Sequence, residues 1–259
     1  MDRRRCGMRT RCAASIAVLL SVGLGLLLLP GSAQTSPEAY RTFRPDGPGP
    51  HPSVAFVPGC GGFASSMAPR HYERVAEQFR ARGYVVIFVD PFGRRSVKGC
   101  TDPGVTVWDA AKDLVSAAAW LKSQPFVDQA RITAVGWGWG GAAVLTDLAD
   151  YAEEQLVFSR AIAYYPNCQR VRPWKVRLPV LILLGGDDDM VRAAPCHEVA
   201  KQSAAPAMVK IVVYPGAQNS FDMSELPAKS KTGFGTVGYH PQAAAAAWEE
   251  VQRFLRVAR

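Results

Sequence analysis

The chain has 259 residues, of which 48% are hydrophobic, 20% charged and 10% aromatic, and its formal net charge is +8. This composition excludes disordered, collagen-like and coiled-coil proteins. Half of the charge, +4, lies in residues 1–33, and the other 226 residues share the remaining +4. The body is therefore too weakly and too diffusely basic for a nucleic-acid-binding surface, and we expect no nucleic-acid partner.

The first 33 residues have the pattern of a secretory signal. Five arginines precede a 17-residue apolar run, Ala13–Leu29, and small residues follow it up to Ala33. We predict a signal peptide over 1–33, cleaved after Ala33, which leaves a periplasmic or secreted protein without a stable membrane span. The alternative is an uncleaved membrane anchor, since 17 residues lie at the short limit for a spanning helix.

Four cysteines follow the signal: Cys60, Cys100, Cys168 and Cys196. An even number in an oxidising compartment predicts two disulfides. All four follow predicted strands, and of the three possible pairings we predict Cys60–Cys100 and Cys168–Cys196. The alternative is unpaired, buried thiols, and no Cys/His spacing is typical of a zinc site.

A Pro/Gly-rich lead-in over 34–52 precedes a region, 53–259, in which strand and helix patterns alternate. The predicted strands are Ser53–Val57, Val85–Val89, Arg131–Val135, Ala161–Tyr165, Val180–Leu184 and Val209–Tyr214. The predicted helices are His71–Arg82, Val107–Ser123, Gly140–Tyr151, Ala194–Ser203 and Pro241–Val257. Such alternation predicts a single α/β domain, a mostly parallel sheet with helices on both faces. Ligands of such sheets bind beyond the carboxyl ends of the strands.

The segment after the third predicted strand, residues 136–141, reads GWGWGG. It has the frame of a nucleophile elbow, G-x-S-x-G, with Gly138 where the serine would stand. One alternative is a plain glycine-rich turn, and another is a dinucleotide-binding loop, because Gly136, Gly138 and Gly141 also match G-x-G-x-x-G. The strand is not the first of the fold and two tryptophans would crowd a pyrophosphate, so we predict no nucleotide and no other cofactor.

Order along the chain supports the elbow. An α/β-hydrolase places its nucleophile, acid and histidine after successive strands in that sequence. Gly138, Asp188 and Asn219 fall in this order after three predicted strands.

The chain here resembles the dienelactone hydrolase family of α/β-hydrolases, over about 53–255. The segments that carry the resemblance are PGCGGF (58–63), DPFGRR (90–95), QPFVDQARITAVGWGWGG (124–141), YYPNC (164–168), LLGGDDDMVRAAPC (183–196) and YPGAQNSFD (214–222). The resemblance implies an α/β-hydrolase fold and attack of a nucleophile on an ester or lactone carbonyl. It also implies an oxyanion hole formed by the backbone N–H groups of Cys60 and Trp139.

The sequence departs from the family pattern at two catalytic positions. Gly138 stands at the nucleophile position and Asn219 at the histidine position, whereas Asp188 matches the acid. Pro58 also replaces the usual histidine before the oxyanion loop. Glycine cannot attack a carbonyl, and an amide cannot accept a proton near pH 7.

Other residues are candidate substitutes for the missing nucleophile and base. The four histidines, His51, His71, His197 and His240, are candidate bases, although His240 is better placed to cap the last helix. Four aspartates could suggest a metal: Asp187, Asp188, Asp189 and Asp222. Their spacing is not that of a known ligand set, so we predict solvated loop carboxylates and no metal.

Three functions remain open. The first is a non-catalytic binder of a small carbonyl or carboxylate ligand, which the loss of nucleophile and base favours. The second is a hydrolase of small esters or lactones with an altered mechanism. The third, less favoured, is a structural partner of another exported protein.

Overall fold

The computed structural model describes residues 40–150, 157–174 and 178–256, with Asp150 described by its backbone only. The predicted signal peptide, with Cys6 and Cys12, lies outside the described residues. So do Tyr151 and Val257, the predicted last residues of two helices. None of the helices in the described ranges is long and apolar enough to cross a membrane.

Seven strands form one sheet in the order β1-β3-β2-β4-β5-β6-β7. Their bounds are β1 Arg41–Phe43, β2 His51–Val57, β3 Val85–Phe88, β4 Val127–Trp137, β5 Arg160–Tyr164, β6 Val180–Gly185 and β7 Val209–Tyr214. Strand β1 pairs antiparallel with β3, and every other pairing in this sheet is parallel. The predicted α/β fold with a mostly parallel sheet is confirmed.

Five helices cover the two faces of the sheet. They are α1 His71–Arg80, α2 Val107–Lys122, α3 Trp139–Asp150, α4 Ala193–Gln202 and α5 Pro241–Arg256. Helices α2, α3 and α4 pack on one face, and α1 and α5 pack on the other. The central strands β3, β5 and β6 are buried along their whole length, as expected of continuous apolar runs between two helical layers.

Two helix starts follow directly from the sequence. Thr106 and Asp109 form a capping box at the start of α2, because each side chain accepts the other residue's backbone N–H. At the start of α5, His240 Nδ1 accepts the N–H of Ala243 at 3.2 Å. The expected capping role of His240 is confirmed.

The structure adds strands that the sequence analysis does not predict. Strand β1 lies inside the segment assigned to the lead-in, and β2 begins at His51 rather than Ser53. A separate hairpin consists of β8, Ser230–Lys231, and β9, Thr236–Val237. Strands β1, β8 and β9 have two or three residues each, too short to display the alternation of a half-buried strand.

Candidate active site

The predicted site residues lie at one edge of the sheet. Gly138, Asp188 and Asn219 follow β4, β6 and β7, and these strands run parallel within the consecutive series β4-β5-β6-β7. Parallel strands bring their carboxyl ends to the same edge, which is where ligands bind in open α/β sheets.

The turn between β4 and α3 is crowded at its two framing glycines. A Cβ on Gly136 would overlap the backbone carbonyl of Gly140, and a Cβ on Gly140 would overlap the carbonyls of Val57 and Pro58. Glycine is therefore required at both positions by close backbone approach. This sharp strand-to-helix turn is the backbone form expected of a nucleophile elbow.

The central residue of this turn is not crowded. Gly138 has φ +52°, and a Cβ there would meet nothing closer than ring carbons of Tyr165 at 3.9 Å. Its N–H donates to the Tyr164 carbonyl at 2.9 Å, and its carbonyl accepts the N–H of Ala142 at the start of α3. The turn therefore has room for a side chain at position 138 and carries none.

Asp188 is a buried carboxylate held by three donors. Its Oδ1 accepts the backbone N–H groups of Met190 at 2.8 Å and Val191 at 2.9 Å, and its Oδ2 accepts Nδ2 of Asn219 at 2.9 Å. Burial raises the pKa of this carboxyl, and the hydrogen bonds from Val191, Asn219 and Met190 oppose that shift. The side chain is thus fixed toward position 219.

Asn219 is fixed at both ends of its amide. A carboxylate can only accept hydrogen bonds, so the amide nitrogen faces Asp188 and leaves Oδ1 to accept the Ser220 hydroxyl at 3.1 Å. The Asn219 carbonyl accepts the N–H of Gly238 at 3.0 Å, and Asn219 forms an isolated bridge with Val237. Asn219 therefore holds the place beside the acid that an imidazole would need, with no proton-accepting nitrogen.

The loop after β2 lies directly against the elbow. A Cβ on Gly59 would be 3.6 Å from the Trp137 carbonyl, and Pro58 contacts Gly140 through its own carbonyl. Trp139 is the first residue of α3, so its N–H has no partner within the helix. The segments that carry the two predicted oxyanion-hole donors, Trp139 and Cys60, are thus neighbours in space.

Both predicted disulfides are present. Cys60–Cys100 ties the loop after β2 to the segment that precedes α2. Cys168–Cys196 ties the segment after β5 to α4.

A largely buried polar cluster lies beneath the elbow. Asp222 accepts Nε1 of Trp137 at 2.9 Å through Oδ2 and the hydroxyl of Tyr165 at 2.8 Å through Oδ1, and His71 Nε2 lies 3.5 Å from Oδ2. Burial raises the pKa of Tyr165 well above its usual range, so this hydroxyl stays protonated and donates. Asp222 thereby connects the residue before Gly138 to the residue whose ring faces Gly138.

The four aspartates do not form a metal centre. Within the ranges that the structure describes, no group of three or more His, Cys, Asp or Glu side chains is arranged to hold a metal ion. Asp188 and Asp222 are engaged as above, Asp189 binds the β8–β9 hairpin, and Asp187 is exposed. The prediction of solvated carboxylates is therefore wrong for Asp188, which is a buried acceptor, and for Asp222, which is partly buried and accepts two hydrogen bonds.

Two surface cavities lie away from the predicted triad. One, of about 200 Å³, lies between α1 and α5 and has Asp222 and Tyr164 in its wall. The other, of about 280 Å³, is lined by Tyr40, Arg41, Phe63, Phe88, Asp90 and Arg94. Gly138, Asp188 and Asn219 line neither of these two.

The whole described domain corresponds to one known family. Residues 39–258 match the family model of the dienelactone hydrolase family. The chain belongs to the dienelactone hydrolase family. The resemblance inferred from the sequence is confirmed, and the match extends over β1, which the sequence analysis placed in the lead-in.

Solved structures share this fold at low sequence identity. A Klebsiella pneumoniae protein assigned as a dienelactone hydrolase matches with a TM-score of 0.66 and 20% identity, over 84% of this chain and 92% of that one. The promiscuous phosphotriesterase P91, a dienelactone hydrolase-like protein from metagenomic libraries, matches at 0.62 and 18%, over 80% and 86%. The butyrate-bound esterase Est2 of Thermogutta terrifontis matches at 0.58 and 18%, over 83% and 87%.

Sequence reasoning missed residues of this dienelactone hydrolase family member that act through long-range contacts. The sequence predicts Asp222 only as a loop carboxylate and His71 only as a candidate base, whereas a fully buried His71 lies beside a partly buried Asp222 under the elbow. The sequence pattern predicts Tyr165 as the last residue of a strand, whereas it follows β5 with φ +36° and faces Gly138. The segment YPGAQNSFD contains Asp222, so the family pattern was the one signal for it.

Proposed function

We propose that this member of the dienelactone hydrolase family is an exported binder of a small carbonyl or carboxylate ligand that has lost efficient hydrolysis. In this proposal Gly138, Asp188 and Asn219 occupy the nucleophile, acid and histidine positions. The observation that carries it is the hydrogen bond from Asn219 Nδ2 to Asp188 Oδ2. The acid retains a partner in the place of the imidazole, but that partner cannot take a proton.

The family reaction needs two groups that this site lacks. A serine or cysteine must attack the ester carbonyl, and a histidine must remove its proton. Gly138 offers no attacking atom, and the nitrogen of the Asn219 amide is not basic near pH 7. Loss of a whole triad costs about 10⁶-fold in turnover, and about 10³–10⁴-fold over water remains from binding and the oxyanion hole.

Ligand binding requires neither a nucleophile nor a base. In this proposal the backbone donors of the oxyanion hole are retained and bind the ligand. A ligand oxygen would accept the N–H groups of Trp139 and Cys60, and a ligand atom could occupy the place of the missing side chain at Gly138, in contact with the Tyr165 ring. Est2 was solved with butyrate bound, which supports a small carboxylate as the ligand class.

Export is supported by the two disulfides. Structural disulfides persist in oxidising compartments and are rare in the cytosol. We therefore retain the predicted periplasmic or secreted location.

Rebuilding the triad tests the assignment of the three positions. We expect Gly138→Ser alone and Asn219→His alone to hydrolyse p-nitrophenyl acetate no faster than the parent within about threefold, because an unassisted hydroxyl is a weak nucleophile. The double change should raise kcat/KM by about 10²-fold or more, the usual contribution of a positioned base. Adding Asp188→Asn to the double variant is the control, and most of the gain should disappear.

The same series distinguishes the alternative, an active hydrolase with an altered mechanism. The observations that favour this alternative are the retained elbow glycines, Gly136 and Gly140, and the retained acid, Asp188. A parent chain, or the Gly138→Ser variant alone, that reached the rate of the double variant would show that another residue acts as base, and the binder proposal would then be wrong.

Binding is measured directly on the parent chain. Titration with butyrate, followed by amide NMR, should shift the signals of Trp139 and Cys60. The matched control ligand is n-propylammonium, which has the same three-carbon alkyl chain and no oxygen to accept those N–H groups. Equal shifts with both ligands, or none with butyrate, would count against a carboxylate site.

A further inference from the structure

The two disulfides differ sharply in their exposure. Cys168 and Cys196 are buried, at 2% and 0% relative exposure, within the core beneath α4. Cys60 and Cys100 are both partly exposed and lie in loops. Thiol–disulfide exchange requires a thiolate to reach a sulfur atom, so access alone favours the Cys60–Cys100 bond.

The partly exposed disulfide, Cys60–Cys100, also holds the candidate oxyanion loop, residues 58–63 after β2. The two flanks of this loop have anchors of their own, because Gly59 N donates to the Tyr72 hydroxyl at 2.8 Å and the Phe63 ring stacks on Phe88 at 4.1 Å. Between them, Cys60 is held by its disulfide and by the hydrogen bond from Cys100 N to its carbonyl, at 3.0 Å. Both of these contacts come from the same partner residue.

Breaking the Cys60–Cys100 bond would therefore loosen the middle of the loop and leave its ends in place. The loop begins against the elbow. The Pro58 carbonyl lies against Gly140, and a Cβ added to Gly59 would be 3.6 Å from the Trp137 carbonyl. A looser Cys60 changes one wall of the candidate site without unfolding the sheet.

We propose that Cys60–Cys100 is a redox modification site, opened by dithiol reductants while Cys168–Cys196 stays closed, and that its opening weakens ligand binding at the elbow. The second half rests on the proposed function; the first half does not. A reductant thiolate attacks one sulfur, the Cys60–Cys100 bond breaks, and a mixed disulfide forms. The second thiol of the reductant then closes its own disulfide, so that two electrons pass to the protein and both cysteines end as protonated thiols.

The first experiment measures selectivity in the folded chain. The intact protein is incubated with increasing dithiothreitol without denaturant, alkylated, and mapped by peptide mass spectrometry, while circular dichroism monitors the fold. Cys60 and Cys100 should be labelled at least tenfold faster than Cys168 and Cys196, whose slow labelling is the internal control. Equal labelling of all four, or faster labelling of Cys168 and Cys196, would overturn the proposal.

The second experiment measures the consequence for the site. Butyrate binding to the parent, and p-nitrophenyl acetate hydrolysis by Gly138→Ser/Asn219→His, are each compared before and after reduction. We expect each to weaken by about tenfold, and the Cys60→Ser/Cys100→Ser variant to show the weakened values without reductant. An unchanged affinity and rate in the reduced protein would refute the coupling.

The two proposals fail in different ways. If the oxidised parent does not bind butyrate and the rebuilt variant does not hydrolyse ester, the proposed function is wrong, whereas the labelling experiment still decides whether Cys60–Cys100 is selectively reducible. If binding and hydrolysis occur but do not respond to reduction, the proposed function stands and the coupling is wrong.

Discussion

At the scale of single residues, the backbone of the elbow requires glycine at positions 136 and 140 but not at position 138. Gly136 and Gly140 are fixed by backbone carbonyls, whereas a Cβ on Gly138 would make only an ordinary contact with the Tyr165 ring, and Gly138 has a left-handed φ of +52°. Two non-glycine neighbours, Tyr165 and Ser220, also have positive φ. The site therefore tolerates strained residues around a position where a glycine relieves strain.

We predict that Gly138→Ser lowers stability by about 1 kcal/mol. A non-glycine residue in a sparsely populated backbone region costs about 1–3 kcal/mol, and the loss of unfolded-chain entropy returns about 0.4–1 kcal/mol. The melting temperature should fall by about 2–4 °C in calorimetry at a single pH.

Two variants serve as controls for this prediction. Gly138→Ala should behave like the serine variant, because the cost lies in φ and not in the hydroxyl. Gly140→Ala should cost about 3 kcal/mol or more, because its Cβ overlaps two carbonyls. A serine variant as stable as the parent would mean that position 138 is unstrained and that the elbow assignment needs revision.

At the scale of elements, one carboxylate attaches the β8–β9 hairpin to the loop after β6. Asp189 Oδ1 accepts the Thr236 N–H at 2.6 Å, and its Oδ2 accepts the Thr236 hydroxyl at 2.7 Å and Lys231 Nζ at 3.2 Å. The hairpin continues into Val237, which pairs with Asn219. Asp189 thus helps to keep the hairpin beside the candidate site.

We predict that this attachment is insensitive to pH above about 4. The hydrogen bonds from Thr236 stabilise the charged form and lower the pKa of Asp189 to about 2, from an ordinary 3.8. A lowered carboxyl pKa gives stabilisation that is complete above the unfolded value and is lost as pH falls through the folded value. Hydrogen exchange of the Thr236 amide, corrected for intrinsic rates, should show constant protection from pH 7 to pH 4.

Substitution should reproduce at neutral pH what acid does below pH 2–4. Asp189→Ala is expected to speed exchange of the Thr236 amide by about tenfold, because it removes both acceptor oxygens. Asp187→Ala, at an exposed neighbour, is the matched control and should leave that amide unchanged. Equal protection in the two variants would mean that strand pairing alone holds the hairpin.

The sequence predicts features that depend on neighbouring residues, and it does not predict features that depend on contacts between residues far apart in the chain. Strands such as Val180–Gly185 are continuous apolar runs, and their burial follows from local composition. The Asp222 contacts with Trp137 and Tyr165 join residues 85 and 57 positions apart, and no local pattern encodes them. The candidate catalytic positions are assigned from motif order alone, whereas the hairpin that touches Asn219 is missed because its strands have two residues each.

At the scale of the whole molecule, the face of the sheet covered by α1 and α5 contains a buried histidine. His71 has 0% exposure, and its Nδ1 lies 3.3 Å from Nη2 of Arg74. A guanidinium can only donate, so Nδ1 is an acceptor and the imidazole is neutral, with its remaining proton on Nε2 facing Asp222. Burial lowers the pKa of His71, the Arg74 charge lowers it further, and Asp222 and Glu225 oppose the shift.

This buried imidazole should make the domain sensitive to mild acid. Below pH 6.5 the unfolded chain takes up a proton at residue 71 and the folded chain does not, so stability rises with pH between the folded and unfolded pKa values. The slope reaches at most about 1.4 kcal/mol per pH unit and ends once the folded form is protonated as well. Burial raises the pKa of Asp188, so its effect on the pH dependence of stability has the opposite sign. That effect acts between the ordinary pKa of 3.8 and the raised value.

Urea unfolding at pH 7, 6 and 5 tests this prediction. The parent should lose stability progressively between pH 7 and pH 5, and His71→Gln, which has a similar volume and does not titrate, should show a shallower dependence. His197→Gln, at an exposed position on α4, should keep the parent's slope. A parent whose stability is flat over this range, or a His71→Gln variant with an unchanged slope, would show that His71 accepts its proton in the folded state. In that case Asp222 would be paired with a cation beneath the elbow.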